Sequence, residues 1–232
     1  MTLPYYDEVI CAVCGTKTSV SGLMSTNTMG PSDLDTRPPE MERSTMEYWV
    51  QCCSKCGYCA DDLSDGKKNS SWLIDTSEYH LRLNEENYPA LANHFRCLSL
   101  INETDGEYSK AAWASLHGAW VCDDADLLEQ SYTCRINAIR LLREAEDNEN
   151  NFSDQEGVTD LVLIDMLRRV GKYEEATREI TNRQFNNDNP SLLRILIFQS
   201  ILIGKQDRSC HPIPVFDDDK EEEEIIEGSN LD

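Results

Sequence analysis

Two Cys-x-x-Cys-Gly motifs constrain this chain more than anything else in it: Cys11-Ala-Val-Cys14-Gly15 and Cys53-Ser-Lys-Cys56-Gly57. A two-residue gap lets a tight turn aim both sulfurs at one ion. The glycine lets the chain bend back, so that backbone N–H groups point at the thiolates. Two such knuckles supply four thiolates, the number that a closed tetrahedral zinc site takes. The predicted ligands are therefore Cys11, Cys14, Cys53 and Cys56, holding a structural zinc ion between two facing hairpins of a ribbon. The stretch from Gly15 to Cys52 exceeds the spacing of short zinc fingers, which predicts an inserted loop. Iron is the alternative metal, because four thiolates at this spacing hold either.

The second knuckle lies in a denser run, Cys52-Cys53-Ser-Lys-Cys56-Gly-Tyr-Cys59. Cys56 and Cys59 are also two apart. Cys53 and Cys56 are preferred because Gly57 then takes the role of Gly15. Cys52 is expected to point away from the ion, on a strand entering the turn, and Cys59 to sit beside the ligands or pack under the site; Cys59 is also the first candidate to replace a ligand. Residues Thr45 to Gln51 alternate and predict that strand. Asp33, Asp35, Arg37, Glu40 and Arg43, in the loop between the knuckles, form either a recognition surface or, the preferred reading, a salt-bridged cover over the ribbon. A thioredoxin-type dithiol needs a βαβ pattern beside its Cys-x-x-Cys, and none is visible.

The chain divides into residues 1–75, which hold the knuckles and six of the ten cysteines, residues 76–208, which carry helical periodicity, and an acidic tail over 209–232, expected to be disordered. The predicted fold class is α+β, mostly α: a small β zinc ribbon followed by tetratricopeptide-like antiparallel helical hairpins. Trp113, Leu116, His117 and Trp120 share one helix face. Leu128, Tyr132, Ile136, Ile139 and Leu142 mark a second helix. Val158, Leu161, Val162, Met166 and Val170 mark a third, ended by Gly171. Gly171-Lys-Tyr-Glu-Glu-Ala176 opens a fourth. Asn189 caps a fifth with Pro190 in its first turn, and Leu192, Leu193, Leu196 and Ile197 form its inner face. Trp113-Ala-Ser-Leu116-His-Gly118 approaches the repeat's Trp-x-x-Leu-Gly signature with the glycine one place late. A plain helical bundle is the other reading.

A formal net charge of −22 disfavours nucleic-acid binding, since such a surface repels phosphate backbones. The ribbon half has six Lys or Arg among more numerous acids, so no basic stripe emerges. No apolar stretch approaches a membrane span, and the N-terminus does not read as a secretory signal. A cytoplasmic location follows as an expectation. Histidine chemistry is sparse: His94 and Cys97, at i and i+3, are the only pairing that suggests a nucleophile with its base.

Cys11-x-x-Cys14-Gly15-Thr-Lys, the Ser32-Asp33-Leu34-Asp35 loop and Tyr48-Trp-Val-Gln-Cys-Cys-Ser-Lys-Cys-Gly-Tyr58 together resemble the bacterial family DUF2225. The resemblance spans about residues 8–205. It departs at Ser54 and Ala12, where the family knuckle commonly has Pro, and neither change removes a ligand. It implies a bacterial cytosolic protein with the cysteines as its metal site and a helical, tetratricopeptide-like remainder, and carries over no activity. The function expected from these features is a zinc-binding scaffold that meets a protein partner through its helical repeats. The alternative is a redox or metal-dependent enzyme that uses the cysteine cluster.

Overall fold

The computed structural model describes residues 3–155, 157–182 and 189–214. The acidic run that begins at Asp217 lies outside them. The N-terminal lobe is two antiparallel hairpins. Strands β1 (Leu3–Ile10) and β2 (Lys17–Ser25) pair from Leu3↔Ser25 to Ile10↔Lys17. Strands β3 (Gln51–Cys52) and β4 (Cys59–Ala60) form the second, shorter pair. The turn of each hairpin is one of the Cys-x-x-Cys-Gly knuckles, so the ribbon-like lobe expected from their spacing is present.

Between the hairpins lie a single helical turn, α1 (Glu40–Arg43), and a 3-10 turn, Met46–Tyr48. The strand predicted over Thr45–Gln51 is therefore mostly absent. Met46 and Val50 are both buried and sit four apart, a spacing that satisfies strand and helix periods alike. Local bonding decides for the turn: Tyr48 N–H donates to the Thr45 carbonyl and Trp49 N–H to that of Met46.

The body is helical. After α2 (Ser70–Leu73) and α3 (Ser77–Leu83) come α4 (Ala90–Thr104), α5 (Tyr108–Asp124), α6 (Leu128–Asp147), α7 (Val158–Arg169), α8 (Tyr173–Asn182) and α9 (Pro190–Gly204). Consecutive long helices pack as hairpins: α5 sits between α4 and α6, and α7 meets both α8 and α9. One device ends most of them. Gly106, Asp126, Glu149, Gly171 and Gln206 all have positive φ. After each, the next N–H reaches back five residues: Glu107 to Asn102, Leu127 to Cys122, Asn150 to Ala145, Lys172 to Leu167 and Asp207 to Leu202. This closes orphan carbonyls at the helix end and reverses the chain within a few residues. At the other end of α9, the Asn189 side chain accepts from Leu192 N–H, as its cap role predicts.

The inner faces correct two expectations. Helix α6 buries Ile139 and Leu142 as expected but leaves Leu128 74% exposed and Tyr132 exposed as well, and adds Ser131, Cys134, Arg135, Ala138 and Ala145 to the buried face. Helix α9 buries Leu196, Gln199, Leu202 and Ile203 and leaves Ile197 exposed, while Leu192 and Leu193 are half-buried. Apolar periodicity fails here because polar side chains take core positions with partners. Gln199 Nε2 donates to the Leu161 carbonyl at 3.0 Å, and Arg135 is ion-paired.

Those ion pairs originate in the loop between the knuckles. Asp35 is 0% exposed; its Oδ2 accepts from Trp120 Nε1 at 2.9 Å and from Arg135 Nη2 at 3.0 Å. Arg135 also meets Asp123 at 2.6 Å, and Arg169 meets Asp123 at 3.1 Å. Arg37 pairs with Asp33 at 2.7 Å and Asp124 at 3.3 Å, and Arg43 with Asp124 at 3.3 Å. The loop is thus a salt-bridged cover, but over the helical body and not over the ribbon as expected. Its other edge holds the C-terminal segment: Leu34 N–H donates to the His211 carbonyl and Ile213 N–H to that of Ser32. Residues 211–213, read from sequence as the start of the tail, are instead bonded to this loop.

Burial opposes ionisation of Asp35, but Arg135 and Arg169 outweigh it and hold its carboxyl below the usual range. Removing one partner of such a buried pair strands the other charge. Asp35→Ala is expected to cost about 3–5 kcal/mol in denaturant unfolding. His117 supplies the second test. Its ring packs among Trp49, Phe95, Trp113 and Trp120, and burial lowers its pKa to about 4. The unfolded imidazole titrates near 6.5. Below that pH the unfolded chain takes up a proton that the fold refuses, so stability falls from about pH 7 to pH 4 and then levels. His117→Phe is expected to remove about 2 kcal/mol of that decline in unfolding curves compared across this range.

Candidate metal centre

The two knuckles are built alike. In the first, Cys11 N–H donates to the Thr16 carbonyl and Gly15 N–H to that of Cys11. In the second, Cys53 N–H donates to the Tyr58 carbonyl and Gly57 N–H to that of Cys53. Gly15 and Gly57 have φ of +69° and +74°, the left-handed region where a Cβ is strained. Gly57 is also pressed against the body: a Cβ there would come within 2.5 Å of Leu83 on α3. Tyr79, also on α3, donates its hydroxyl to the Gly57 carbonyl at 2.8 Å and accepts from Cys59 N–H at 3.1 Å. The helical body thus grips the second knuckle from behind.

The four predicted sulfurs, those of Cys11, Cys14, Cys53 and Cys56, all lie within 4.8 Å of one another. Cys11 and Cys56 are 3.8 Å apart and Cys14 and Cys53 3.7 Å. A tetrahedron with metal–sulfur bonds of about 2.3 Å has edges of about 3.8 Å, so the cluster has the size of a four-thiolate site. These four side chains can hold a metal ion.

The protons tell the same story. Cys14 is drawn down to about 6 by the Thr16 hydroxyl and N–H. For Cys53, burial opposes ionisation, but the N–H groups of Cys56 and Lys55 and the Thr18 hydroxyl outweigh it, and its pKa is lowered. Burial pushes Cys11 and Cys56 up. One thiol of each knuckle is thus primed to ionise and the other resists. Four thiolates this close repel one another, and a bound metal cation would supply the missing attraction. Sequence reading missed Thr16 and Thr18, whose signal was their place directly after the first knuckle. It missed Tyr79 too, which carries no local signal.

Cys59 is fully buried and stands outside the four-sulfur group, so it replaces none of the four ligands. Cys52 also stands apart; its sulfur and that of Cys59 lie 3.7 and 3.4 Å from the Gly57 carbonyl oxygen. The predicted His94–Cys97 pairing is split: His94 reaches toward Cys52, and the buried Cys97 toward Cys59. Cys53→Ser is expected to abolish stoichiometric metal binding and unfold the N-terminal lobe, whereas Cys59→Ser keeps one metal per chain, both read by elemental analysis and proteolysis.

A family model described as an uncharacterized protein conserved in bacteria (DUF2225) matches residues 5–197. No curated protein and no solved structure matches the chain. The matched span takes in both knuckles, the loop that carries Asp35 and the helices through the first half of α9, and on that extent the chain belongs to the DUF2225 family.

Proposed function

We propose that this protein is a zinc-pinned scaffold, in which a structural ion fixes the ribbon-like lobe and the molecule presents surfaces to a protein partner. The observation that carries the metal reading is the four-sulfur cluster with edges of 3.7 and 3.8 Å. Zinc and iron bonds to thiolate have similar lengths, so geometry alone does not choose. Zinc is preferred because divalent zinc binds such sites more tightly than ferrous iron does. A closed four-thiolate shell leaves no position for substrate, so its role is to contribute folding energy.

The partner reading is supported by apolar side chains left in water. On the first hairpin, Tyr6 is 78% and Met24 73% exposed, and Leu3, Tyr5 and Ile10 are exposed with them. Among the described residues that hairpin is a two-stranded sheet with neither edge paired to another strand, a form that accepts an added strand. At the far end of the helical array, Ile197 and Ile201 of α9 are exposed in the same way. Stacked, tetratricopeptide-like hairpins suit this use, because they set such faces on a rigid frame. The net charge of −22 favours a basic protein partner over nucleic acid. All ten cysteines are unpaired, which supports a reducing compartment such as the cytoplasm.

Two measurements test this reading. Anaerobically purified protein is expected to contain one zinc per chain and to be colourless. Iron with visible thiolate charge-transfer bands would move the protein to the redox alternative. Tyr6→Ser with Met24→Ser, and separately Ile197→Ser with Ile201→Ser, should keep metal content. One of the two pairs is expected to lose a co-purifying protein in quantitative affinity mass spectrometry. Equal recovery of every co-purifying protein by both variants overturns the scaffold reading.

A further inference from the structure

Cys52 and Cys59 stand beside the metal cluster without belonging to it. They face each other directly across β3 and β4. The bond from Cys53 N–H to the Tyr58 carbonyl closes the knuckle, so the next pair outward is a non-hydrogen-bonded one. Accordingly, Cys59 N–H points out of the hairpin and donates to the Tyr79 hydroxyl at 3.1 Å. Residues in such a pair have their α-carbons about 4.5 Å apart and their side chains at closest approach. That separation falls inside the range that a disulfide spans, about 4.4–6.8 Å. The two sulfurs already share one small volume, both over the Gly57 carbonyl oxygen at 3.7 and 3.4 Å.

Access to the pair is one-sided. Cys59 is fully buried, whereas Cys52 is half-buried and lines a surface cleft of about 290 Å³ with Ser19, Val20, Val50, Leu91 and His94. Cys52 lines that cleft and Cys59 does not, so a small molecule entering it meets Cys52 first. This is the arrangement of an attacking thiol with a sheltered resolving thiol behind it.

We propose that Cys52 and Cys59 form a reversible dithiol–disulfide couple that exchanges with small disulfide-containing molecules in the cleft beside His94. The Cys52 sulfur attacks one sulfur of the incoming disulfide. A bond forms between them, the disulfide bond breaks, and the departing thiolate takes the Cys52 proton. Cys59 then attacks the Cys52 sulfur, which forms the cross-strand disulfide and releases the second small thiol with the Cys59 proton. Two protein thiols are oxidised and one small disulfide is reduced to two thiols. The metal cluster takes no part, so the proposal holds for zinc or iron.

The test treats full-length, metal-loaded protein with glutathione disulfide. Thiols are counted in denaturant, linkages are mapped by tandem mass spectrometry after alkylation, and metal is measured in the same sample. The expected result is loss of two of the ten thiols, a Cys52–Cys59 linkage, unchanged metal content, and full recovery with dithiothreitol. Cys59→Ser should stop at one glutathione on Cys52, and Cys52→Ser should lose no thiols. The wild-type linkage map decides the matter even if either variant fails to fold. An unchanged thiol count overturns the proposal, as does a mixed disulfide that never resolves in wild type. So does a linkage to Cys97 or one among Cys11, Cys14, Cys53 and Cys56 with release of metal.

Discussion

The buried carboxylate of Asp35 is the point on which the rest of the molecule turns. It leaves the loop between the two knuckles and ends on Trp120 of α5 and Arg135 of α6. Arg169 of α7 lies 3.6 Å away. A charge this deep is tolerated only because arginines surround it, and those arginines are tolerated only because Asp35 and Asp123 are there. One loop residue thereby fixes the relation of three helices to each other and to the lobe that carries the cysteines. The same loop holds residues 211–213 at its outer edge, so the C-terminal end of the described chain is tied to it.

The metal cluster depends on that frame as much as on its own turns. Each knuckle is a local structure, closed by its own hydrogen bonds and its left-handed glycine. What brings them face to face is the helical body behind the second knuckle and the segment after β4 against the first. Tyr79 holds the Gly57 carbonyl, Leu83 fills the space beside it, and Ala12 N–H donates to the Leu63 carbonyl. Where the fold brings an atom pair close, chemistry follows from small differences in access. Four sulfurs form one cluster suited to a cation. Two more, one residue or three residues away in sequence, form a separate pair beneath the Gly57 carbonyl.

Helix α5 shows how the body is made. Ala111, Ala112, Ala114, Gly118 and Ala119 are buried, and a Cβ at Gly118 would lie 3.7 Å from the Ala92 carbonyl oxygen and 3.6 Å from the Cys134 sulfur. Small residues let α4 and α6 close on it from both sides. Ser99 and Ser115 then spend their hydroxyls on the carbonyls of Ala111 and Cys134 in the neighbouring helix. Such a helix has little apolar asymmetry, which is why the face read from Trp113 to Trp120 describes only part of its buried surface.

The sequence by itself determined what is local. Cys-x-x-Cys-Gly at 11–15 and 53–57 specified two turns and four sulfurs, Gly171 specified a helix end, and Asn189-Pro190 specified a start. Each of these rests on contacts within about six residues, so the chain carries the whole instruction in one place. Only the tertiary structure decided what depends on distant partners. Arg135 and Gln199 took core positions from Leu128, Tyr132 and Ile197, because Asp35 and the Leu161 carbonyl satisfy them from elsewhere in the chain. Met46 and Val50 fit two periods equally, and the turn bonds chose between them. Cys52, Cys59, Cys97 and His94 were sorted into neighbours by the pairing of β3 with β4 and by the packing of α4 against them. A buried polar group is favourable or ruinous according to its partner, and that partner is invisible to any reading made along one segment.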